Sequence, residues 1–545
     1  MPCLIDTGRG ISVLYKERYL YSKYSPDKAI IQAIDALEIL SGALILVFSP
    51  CLWYGLKELL LKTEKKEDCL IVGIEADENL FELSKNALEK LKESLLQAQN
   101  VLLIKPEQIE KIIMPVYRFK RVQMIEMSGG TFFGGQIYKN VFMYAQNTIA
   151  SFWKNRVTLV KLGRLFSRNF FKNLQKNPAV NNASILEKTI TNPIVVFGAG
   201  QGAQVFIDSI QKITGNASLA LKKCCVIAVD AALPLLKANG IKVDFAIAVE
   251  GQLASEKAYI GCKDYAQNIL CDMSSRKNTA LYKKVETFYF MSEFDNCTFI
   301  HNAKDKGILP IFVPALGSVG LTASYLALML RKIIDVPVFC AGLDFSFSTG
   351  FTHARGTPAH KARLFSCAKF KPVENYDAAF KLGSFKIEGK NGDLITDHSL
   401  KNYADLFRAY FCSIKNFFDA SPTGLDLSIN RCKTEFFIQT LSSFNKNYNA
   451  LPTKKAENSE SIKKLTQDYI QNEKKSLERI KELLSKGEKA FPPPKQNLNH
   501  ELKELLLERE YLYLHFPDGY KCRYDDLSFL KRVRSEIDFF IKDLS

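Results

Sequence analysis

Three glycines in the middle of this chain have a spacing that suits chemistry at a phosphate. Gly198, Gly200 and Gly202 follow the apolar run 192–197, and an apolar stripe at helical spacing begins after them. This pattern predicts a strand, a glycine turn and a helix. Glycines there let backbone N–H groups approach a phosphate or ribose at the helix N-terminus, whose partial positive charge favours anions. Glycine turns also join strands to helices for packing alone, so both interpretations stay open. Gln201 lies inside the turn and belongs to the same candidate site.

Acidic residues stand at the ends of further apolar runs in the same region. The four positions are Asp230, Asp244, Glu250 and Asp344. In an open parallel sheet, ligands bind at the carboxyl ends of the strands, where such side chains can contact ribose, base or metal. Each of the four can equally cap a helix or pair with a lysine.

A serine and a histidine complete the candidate site. Gly317 and Ser318 open a predicted helix and offer N–H groups and a hydroxyl to a phosphate or carboxylate, unless Ser318 is an ordinary N-cap. His353 is one of six histidines in the chain. A neutral imidazole, with an unperturbed pKa near ~6.5, suits a general base that acts on a hydroxyl. A structural role for His353 stays open, and His360 lies close by in the sequence.

Alternating strands and helices must position these residues. The order strand, helix, strand repeats several times between residues 192 and 341, which predicts an open parallel sheet with helices on both faces. Two earlier buried runs, Ala43–Phe48 and Cys69–Ile74, predict a second, Rossmann-like unit whose second strand is closed by Glu75. The turn after its first strand, residues 49–55, lacks the glycines that let a cofactor approach. We therefore interpret this first unit as a degenerate nucleotide fold kept as scaffold.

Composition narrows the class of protein. A chain of 545 residues with 47% hydrophobic content is long enough for two or three buried cores. Its 13 cysteines form no Cys-x-x-Cys pair, which favours buried reduced thiols in a cytosolic protein over disulfides or a zinc site. The net charge of +16 is spread over the chain without a recognition module, so we expect a solvated basic surface and no nucleic-acid partner.

No stretch of the sequence predicts membrane insertion. The N-terminus lacks a charged-then-apolar signal pattern, and the longest apolar run, Leu40–Tyr54, is too short for a span and is broken by Pro50. We expect a soluble, cytoplasmic protein.

The motifs taken together resemble those of the bacterial motility associated factor (Maf) family. Those proteins are flagellin glycosyltransferases whose central domain is also called 6-hydroxymethylpterin diphosphokinase-like (MptE-like). The resemblance covers about residues 10–435 and is most specific in the centre. The matching motifs are Gly198-x-Gly-x-Gly202, Asp230-Ala-Ala-Leu233, Asp244-Phe-Ala-Ile-Ala-Val-Glu250, Gly317-Ser-Val-x-Leu-Thr-Ala323, Gly342-Leu-Asp344 and Thr352-His-Ala354.

The resemblance implies an α/β fold in three parts. These are a Rossmann-like N-terminal domain over residues 1–175, a catalytic domain over 185–440 with a parallel sheet similar to that of bacterial sialyltransferases, and a helical C-terminal region over 460–545. It implies an inverting transferase that moves a nonulosonic acid, of the pseudaminic or legionaminic type, from a CMP-sugar to Ser or Thr of flagellin. Apart from the CMP-activated donor it implies no cofactor and no metal.

The resemblance also assigns roles to residues. His353 would act as the base. The nucleotide-sugar would contact Gly198, Gly200, Gln201, Gly202, Asp230, Asp244, Glu250, Gly317, Ser318 and Asp344. Two departures from the family pattern bear on the donor: the turn usually continues Gly-Pro-Ser-Leu but here is Gly200-Gln-Gly-Ala203, and the position of Glu250 is more often Asp.

Two other functions remain open. One is a Mg-dependent diphosphokinase that acts on a pterin, with Asp230, Asp244 and Glu250 around the metal, although the extra domains fit a protein substrate better. The other is a non-catalytic flagellar assembly factor that has kept the fold, which the altered glycine turn would favour.

Overall fold

The structure is a computed structural model. It describes residues 1–276, 285–293, 297–347, 351–372, 381–444, 448, 459–489 and 498–544. The chain divides into two compact units: residues 1–161 with 516–520, and residues 162–515 with 521–545. The helix Gly135–Leu174 begins in the first unit and ends in the second. The predicted division into three domains stays a prediction.

The first unit contains two sheets. Strands β1 (Cys3–Asp6), β2 (Ile11–Tyr15) and β3 (Arg18–Tyr19) form an antiparallel sheet. Strands β4 (Ala43–Phe48), β5 (Leu70–Ile74), β6 (Leu102–Ile104) and β7 (Arg121–Glu126) form a parallel sheet in the order β6-β5-β4-β7. The other helices of this unit are Lys28–Asp35, Leu56–Thr63, Glu78–Ser94 and Ile109–Ile113. The strand order is that of one half of a Rossmann fold, as predicted.

The first parallel sheet is apolar on both faces because helices cover both of them. Strand β4 is buried along its whole length. Ile45 and Val47 pack into one core cluster, whereas Leu44, Leu46 and Phe48 pack into another. Alternate residues of a strand point to opposite faces, so a strand covered on both sides needs a continuous apolar run.

A nine-stranded sheet forms the centre of the second unit. Its strands are β8 (Ile194–Phe197), β9 (Cys225–Val229), β10 (Val243–Ala248), β11 (Ala266–Asp272), β12 (Glu286–Ser292), β13 (Phe312–Val313), β14 (Val338–Ala341), β17 (Phe417–Asp419) and β18 (Asn430–Arg431). All neighbouring pairs are parallel, in the order β13-β12-β11-β10-β9-β8-β14-β17-β18. The predicted open parallel sheet is confirmed.

Strand β8 lies where the strand order reverses. The chain runs from β8 outward through β9 to β13, and then returns to place β14 on the other side of β8. In open α/β sheets this switch point is the usual place for a ligand, outside the carboxyl ends of the strands. The loops after β8 and β14, which carry the predicted glycines and Asp344, are therefore at the position that the fold favours.

Helices and one hairpin surround the central sheet. The hairpin consists of β15 (Ser384–Gly389) and β16 (Gly392–Asp397). The helices up to residue 442 are Gln201–Thr214, Ala217–Leu221, Leu233–Ala238, Thr298–Asp305, Val319–Leu330, Pro358–Phe365, His398–Phe411 and Thr434–Ser442. Ser459–Lys489, Leu498–Leu507 and Leu527–Leu544 form the helical C-terminal region that the sequence predicts.

Candidate functional site

The glycine loop after β8 packs directly against the loop after β14. The Gly198 amide donates a hydrogen bond to the Ala341 carbonyl at 2.8 Å, and the Gly200 amide donates one to the Gly342 carbonyl at 2.9 Å. A Cβ on Gly198 would lie 2.3 Å from the Gly342 carbonyl oxygen. The backbones of two loops can approach this closely only where side chains are absent. Packing between the loops is thus one reason for the glycines.

Asp344 caps the helix that follows the glycine loop. Its Oδ2 accepts a hydrogen bond from the Gly202 amide at 2.7 Å, and its Oδ1 is buried without a hydrogen-bond partner. Burial raises the pKa of Asp344 to about 6, and the hydrogen bond from Gly202 opposes that rise. At the N-terminus of this helix, where the sequence predicts a phosphate, the Gly202 amide is thus already bonded to a carboxylate of the protein itself. Gln201, the first residue of this helix, is half-buried.

A buried lysine that the sequence analysis missed lies beside Asp344. Lys390 sits at the tip of the hairpin β15–β16 and forms an ion pair with Asp419 at the end of β17. Its ammonium also donates to the carbonyls of Ser421 and Thr423 at 3.1 and 3.0 Å. The Lys390 and Asp419 side chains are only 2% and 1% exposed. A lysine within the turn Gly389-Lys-Asn-Gly392 is typical of an exposed hairpin tip, so nothing in the local sequence indicates its burial.

Ser421 joins this ion pair to the glycine loops. Its Oγ accepts a hydrogen bond from the Gly342 amide at 2.6 Å, and its own amide donates to Asp419 Oδ1 at 3.0 Å. Burial raises the pKa of Asp419, whereas the Lys390 charge lowers it. Lys390 thus compensates a carboxylate that would otherwise be buried alone beneath the carboxyl edge of the sheet.

Ser318 begins a buried helix that reaches the same loops. Gly317 has a φ of +69°, in the left-handed region, and Ser318 is the N-cap residue of Val319–Leu330 but makes no side-chain cap hydrogen bond. A Cβ on Gly320 would lie 2.5 Å from the Leu343 side chain in the loop after β14. Strand β13 is at the edge of the sheet, but the helix that follows it returns across the sheet. This brings Ser318 towards the Gly198 and Asp344 loops.

Asp230 and Glu250 follow neighbouring strands. Asp230 comes directly after β9; its Oδ1 accepts a hydrogen bond from the Ala231 amide at 2.7 Å. Burial raises the pKa of Asp230 to about 6, and the nearby charge of Glu250 raises it further. Glu250 follows β10, is exposed, and accepts a hydrogen bond from the Gln252 amide at 3.1 Å. Both carboxylates lie at the carboxyl edge: Asp230 follows β9, which is adjacent to β8, and Glu250 follows β10, the next strand outward.

His353 is attached to the glycine loop through its neighbour in the chain. The Ala354 amide donates a hydrogen bond to the Ala199 carbonyl at 2.8 Å. The imidazole is half-buried, its Nδ1 lies 3.1 Å from Thr352 Oγ1, and burial lowers its pKa from 6.5. His353 is therefore held at the carboxyl edge of the sheet and is neutral at pH 7, as a general base must be.

His360 has a different environment from His353. Its ring stacks on Phe351, with centroids 5.7 Å apart and planes inclined by 13°, and its Nδ1 accepts a hydrogen bond from the Gly356 amide at 3.3 Å. Burial and then the charges of Arg355 and Arg363 lower its pKa. The ring stacking and the bond to Gly356 order the start of the helix Pro358–Phe365.

Asp244 lies at the opposite edge of the sheet. The sequence predicts a strand that starts after Asp244, but β10 begins at Val243, so Asp244 is its second residue. Its Oδ2 accepts a hydrogen bond from the Val226 amide at 2.8 Å, at the start of β9. It lines a cavity of about 210 Å³ together with Cys224 and Tyr448. The structure brings the other predicted site residues towards the carboxyl edge but does not bring Asp244 there, because parallel strands start at one edge and end at the other.

The described ranges offer neither a cluster of metal ligands nor a membrane-spanning helix. Among these residues, no three His, Cys, Asp or Glu side chains are grouped closely enough to hold a metal ion. No helix in the same ranges is long and apolar enough to cross a membrane.

Comparison with known proteins gives the class to which this fold belongs. Residues 168–350 match the family model "6-hydroxymethylpterin diphosphokinase MptE-like", so the chain contains an MptE-like domain. The structure is similar to that of a Maf glycosyltransferase from Magnetospirillum magneticum AMB-1, with a TM-score of 0.55 and 13% identity over 99% of this chain and 90% of that one. The chain therefore has the Maf fold, and the resemblance that its motifs predict is confirmed.

A curated relative places the chain in a family. It is 30% identical over 567 aligned positions to a protein of Treponema pallidum (strain Nichols) that is described as uncharacterized, and the alignment covers 100% of this chain and 95% of the relative. The chain belongs to the same family as that protein.

Proposed function

We propose that this protein is an inverting glycosyltransferase that moves a nonulosonic acid, of the pseudaminic or legionaminic type, from a CMP donor to Ser or Thr hydroxyls of flagellin. The observation that carries the proposal is the position of His353. The backbone next to this half-buried imidazole, at Ala354, is hydrogen-bonded to the glycine loop at the switch point of a parallel sheet, and burial lowers the pKa of His353. The similarity of the fold to that of a Maf glycosyltransferase supports a sugar donor and an acceptor.

In the proposed reaction, His353 accepts the proton of the acceptor hydroxyl while the hydroxyl oxygen bonds to the anomeric carbon. The bond from that carbon to the phosphate oxygen breaks at the same time, and CMP leaves with the electron pair. Negative charge develops on the departing phosphate. The N-terminus of the helix Val319–Leu330 can stabilise this charge with its N–H groups and with the Ser318 hydroxyl, which makes no cap hydrogen bond to the helix.

The proposed donor lies across the glycine loop, Asp230 and Ser318. Because Asp344 already accepts from the Gly202 amide, we assign the phosphate to the Ser318 helix and the ribose or base to the loop 198–201 and Asp230. Asp344 then acts on the donor only by holding this loop, and Glu250 lies at the exposed rim. We assign no further cofactor, and we place the reaction in the cytoplasm.

The geometry weakens the alternative of a pterin diphosphokinase. That reading needs Asp230, Asp244 and Glu250 around one magnesium ion. Asp230 and Glu250 follow the carboxyl ends of β9 and β10, whereas Asp244 is bonded to Val226 at the start of β9. Three carboxylates on two edges of a sheet cannot share one ion.

One observation favours a second candidate, a non-catalytic flagellar assembly factor. The anion-binding end of the helix after the glycine loop is occupied by Asp344, as expected if the fold is retained without its donor. The two candidates differ in whether they bind a nucleotide.

Thermal unfolding of the full chain with CMP, and separately with ATP and magnesium, tests the proposal. Ligands that bind only the folded state raise its melting temperature. A rise with CMP alone, in the presence of a chelator, is the expected result. A rise only with ATP and magnesium would overturn the proposal in favour of a kinase, and no rise with either would favour the assembly factor.

A further inference from the structure

The segment that follows His353 is basic and unusually rich in exposed apolar side chains. Residues 355–372, here called the basic segment, contain no Asp or Glu. Their five cationic residues are Arg355, Lys361, Arg363, Lys369 and Lys371. Phe365 and Phe370 are 91% and 89% exposed, and Leu364 is 50% exposed. Soluble proteins seldom expose large apolar side chains next to each other without a binding partner.

The basic segment is anchored at its start and open along the rest. Thr357 caps the helix Pro358–Phe365 and donates from its Oγ1 to the Ala354 carbonyl at 2.7 Å. Ala354 in turn donates to Ala199 of the glycine loop. None of the residues of this helix is buried. The segment therefore begins at the candidate site and continues as a surface.

From these observations we infer that the basic segment is the docking surface for the acceptor, and that it takes an acidic polypeptide segment with interspersed apolar side chains. This inference rests on the proposed function, since a protein acceptor must reach His353. The five cations of residues 355–372 attract an acidic partner and raise the rate of encounter. Exposed Phe and Leu side chains supply the apolar contact that fixes it.

Lys369 shows how positive charge and exposed apolar surface combine in the basic segment. Its ammonium lies 5.6 Å from the centroid of the Phe370 ring, and the backbone around it turns through paired hydrogen bonds between Ala368 and Lys371. A carboxylate of a partner at this turn meets a charge and an apolar ring at once. An anionic membrane surface offers the same two features, but the position next to His353 favours a polypeptide.

The test measures binding of two labelled peptides to the full chain by fluorescence anisotropy. One 15-residue peptide contains Glu, Leu and Ser, and the other carries Lys at every Glu position. The test variant is Lys361→Glu, Lys369→Glu and Lys371→Glu together. The control variant makes the same charge change in the first unit, at the exposed residues Lys65, Lys85 and Lys90.

We expect the native protein to bind the acidic peptide and not the lysine peptide. The test variant should bind the acidic peptide about tenfold more weakly at low salt, and the control variant should bind it as the native protein does. Equal loss in both variants, or no loss in the test variant, would overturn the inference. Binding to vesicles of phosphatidylglycerol without binding to the acidic peptide would also overturn it, in favour of a membrane surface.

A parallel measurement separates this inference from the proposed function. The CMP-induced rise in melting temperature should be the same in the native protein and the test variant, because we assign the acceptor, and not the donor, to the basic segment. Loss of peptide binding with the CMP response kept supports the docking surface. Peptide binding without any CMP response would support the docking surface and contradict the proposed transferase. The measurement therefore distinguishes failure of this inference from failure of the proposed function.

Discussion

Asp344 and Gly202 are 142 positions apart in the chain, yet the Asp344 carboxylate accepts a hydrogen bond from the Gly202 amide at 2.7 Å. This contact joins the loops after β8 and β14, the two strands at the switch point of the sheet. It gives the helix Gln201–Thr214 an N-terminal cap that its own sequence lacks, because its N-cap residue is Gly200. The stability and the chemistry of the site therefore depend on the same pair.

Replacing Asp344 by Asn should change how stability depends on pH. Because the pKa of Asp344 is about 6 in the folded protein, against 3.8 ordinarily, the folded state holds the proton where the unfolded chain has released it. The contribution of this group to the free energy of unfolding falls as the pH rises from about 4 to about 6. Urea unfolding at several pH values should show a shallower decline for Asp344→Asn than for the native protein. Asp230 and Asp244, whose pKa values are also raised to about 6, maintain part of the decline in both. If the free energy of unfolding depended on pH in the same way in both proteins, the raised pKa of Asp344 would be contradicted.

Adding a methyl group at Gly202 should disrupt the contact between the loops. A Cβ there would lie 2.4 Å from Asp344 Oδ1 and 2.6 Å from Ser421 Oγ. We expect Gly202→Ala to lower the free energy of unfolding by about 1–3 kcal/mol, as overpacking of a filled site does. Gly135→Ala is the control, since a Cβ at Gly135 meets nothing within 4 Å. Similar effects of the two substitutions in denaturant titrations would refute the packing argument.

Lys390 should matter for stability although it lies in a hairpin turn. Lys390→Met leaves the Asp419 carboxylate buried without its partner, and we expect a loss of about 3–5 kcal/mol. Lys386→Met, at an exposed position of the same hairpin, should have little effect. Asp419→Asn added to Lys390→Met should restore part of the loss, because it removes the uncompensated charge. If the double variant is as unstable as the sum of both single variants, the ion pair is not the cause.

The two histidines should differ in activity. His353→Ala should reduce transfer of sugar to flagellin by about 10²–10⁴-fold, the usual contribution of a general base. His301→Ala is the matched control and should retain most activity, since this exposed histidine lies on the helix Thr298–Asp305 and has no part in the proposed reaction. CMP should stabilise both variants as it stabilises the native protein. Equal activity of the two variants would exclude His353 as the base.

The pH dependence of the native enzyme gives an independent check. Burial lowers the pKa of His353 from 6.5, so the imidazole stays neutral below the usual titration range of histidine. The value of kcat/KM should therefore fall on the acid side only at a pH below 6.5. A fall with a midpoint above 6.5 would point to a different base.

Much of the fold follows from local pattern. The predicted strand Ala43–Phe48 agrees with β4 at both ends, and the predicted run Cys69–Ile74 agrees with β5 to one residue. Such strands are continuous apolar runs because helices cover both faces of the sheet. The start of β10 does not follow from local pattern, because Asp244 is a charged residue within a strand. A hydrogen bond from the Val226 amide on β9 and an ion pair with Lys242 make that position tolerable.

The sequence by itself determined the alternating α/β pattern, the glycine loop, the acidic residues at strand ends and the candidate base His353. These are properties of neighbours in the chain, and backbone geometry makes them periodic. Only the tertiary structure decided that Asp344 caps the helix after the glycine loop, that Lys390 is buried against Asp419, and that Asp244 lies on the far edge of the sheet. Each of these facts depends on the order in which nine strands pair, and that order is set by contacts between residues far apart in sequence.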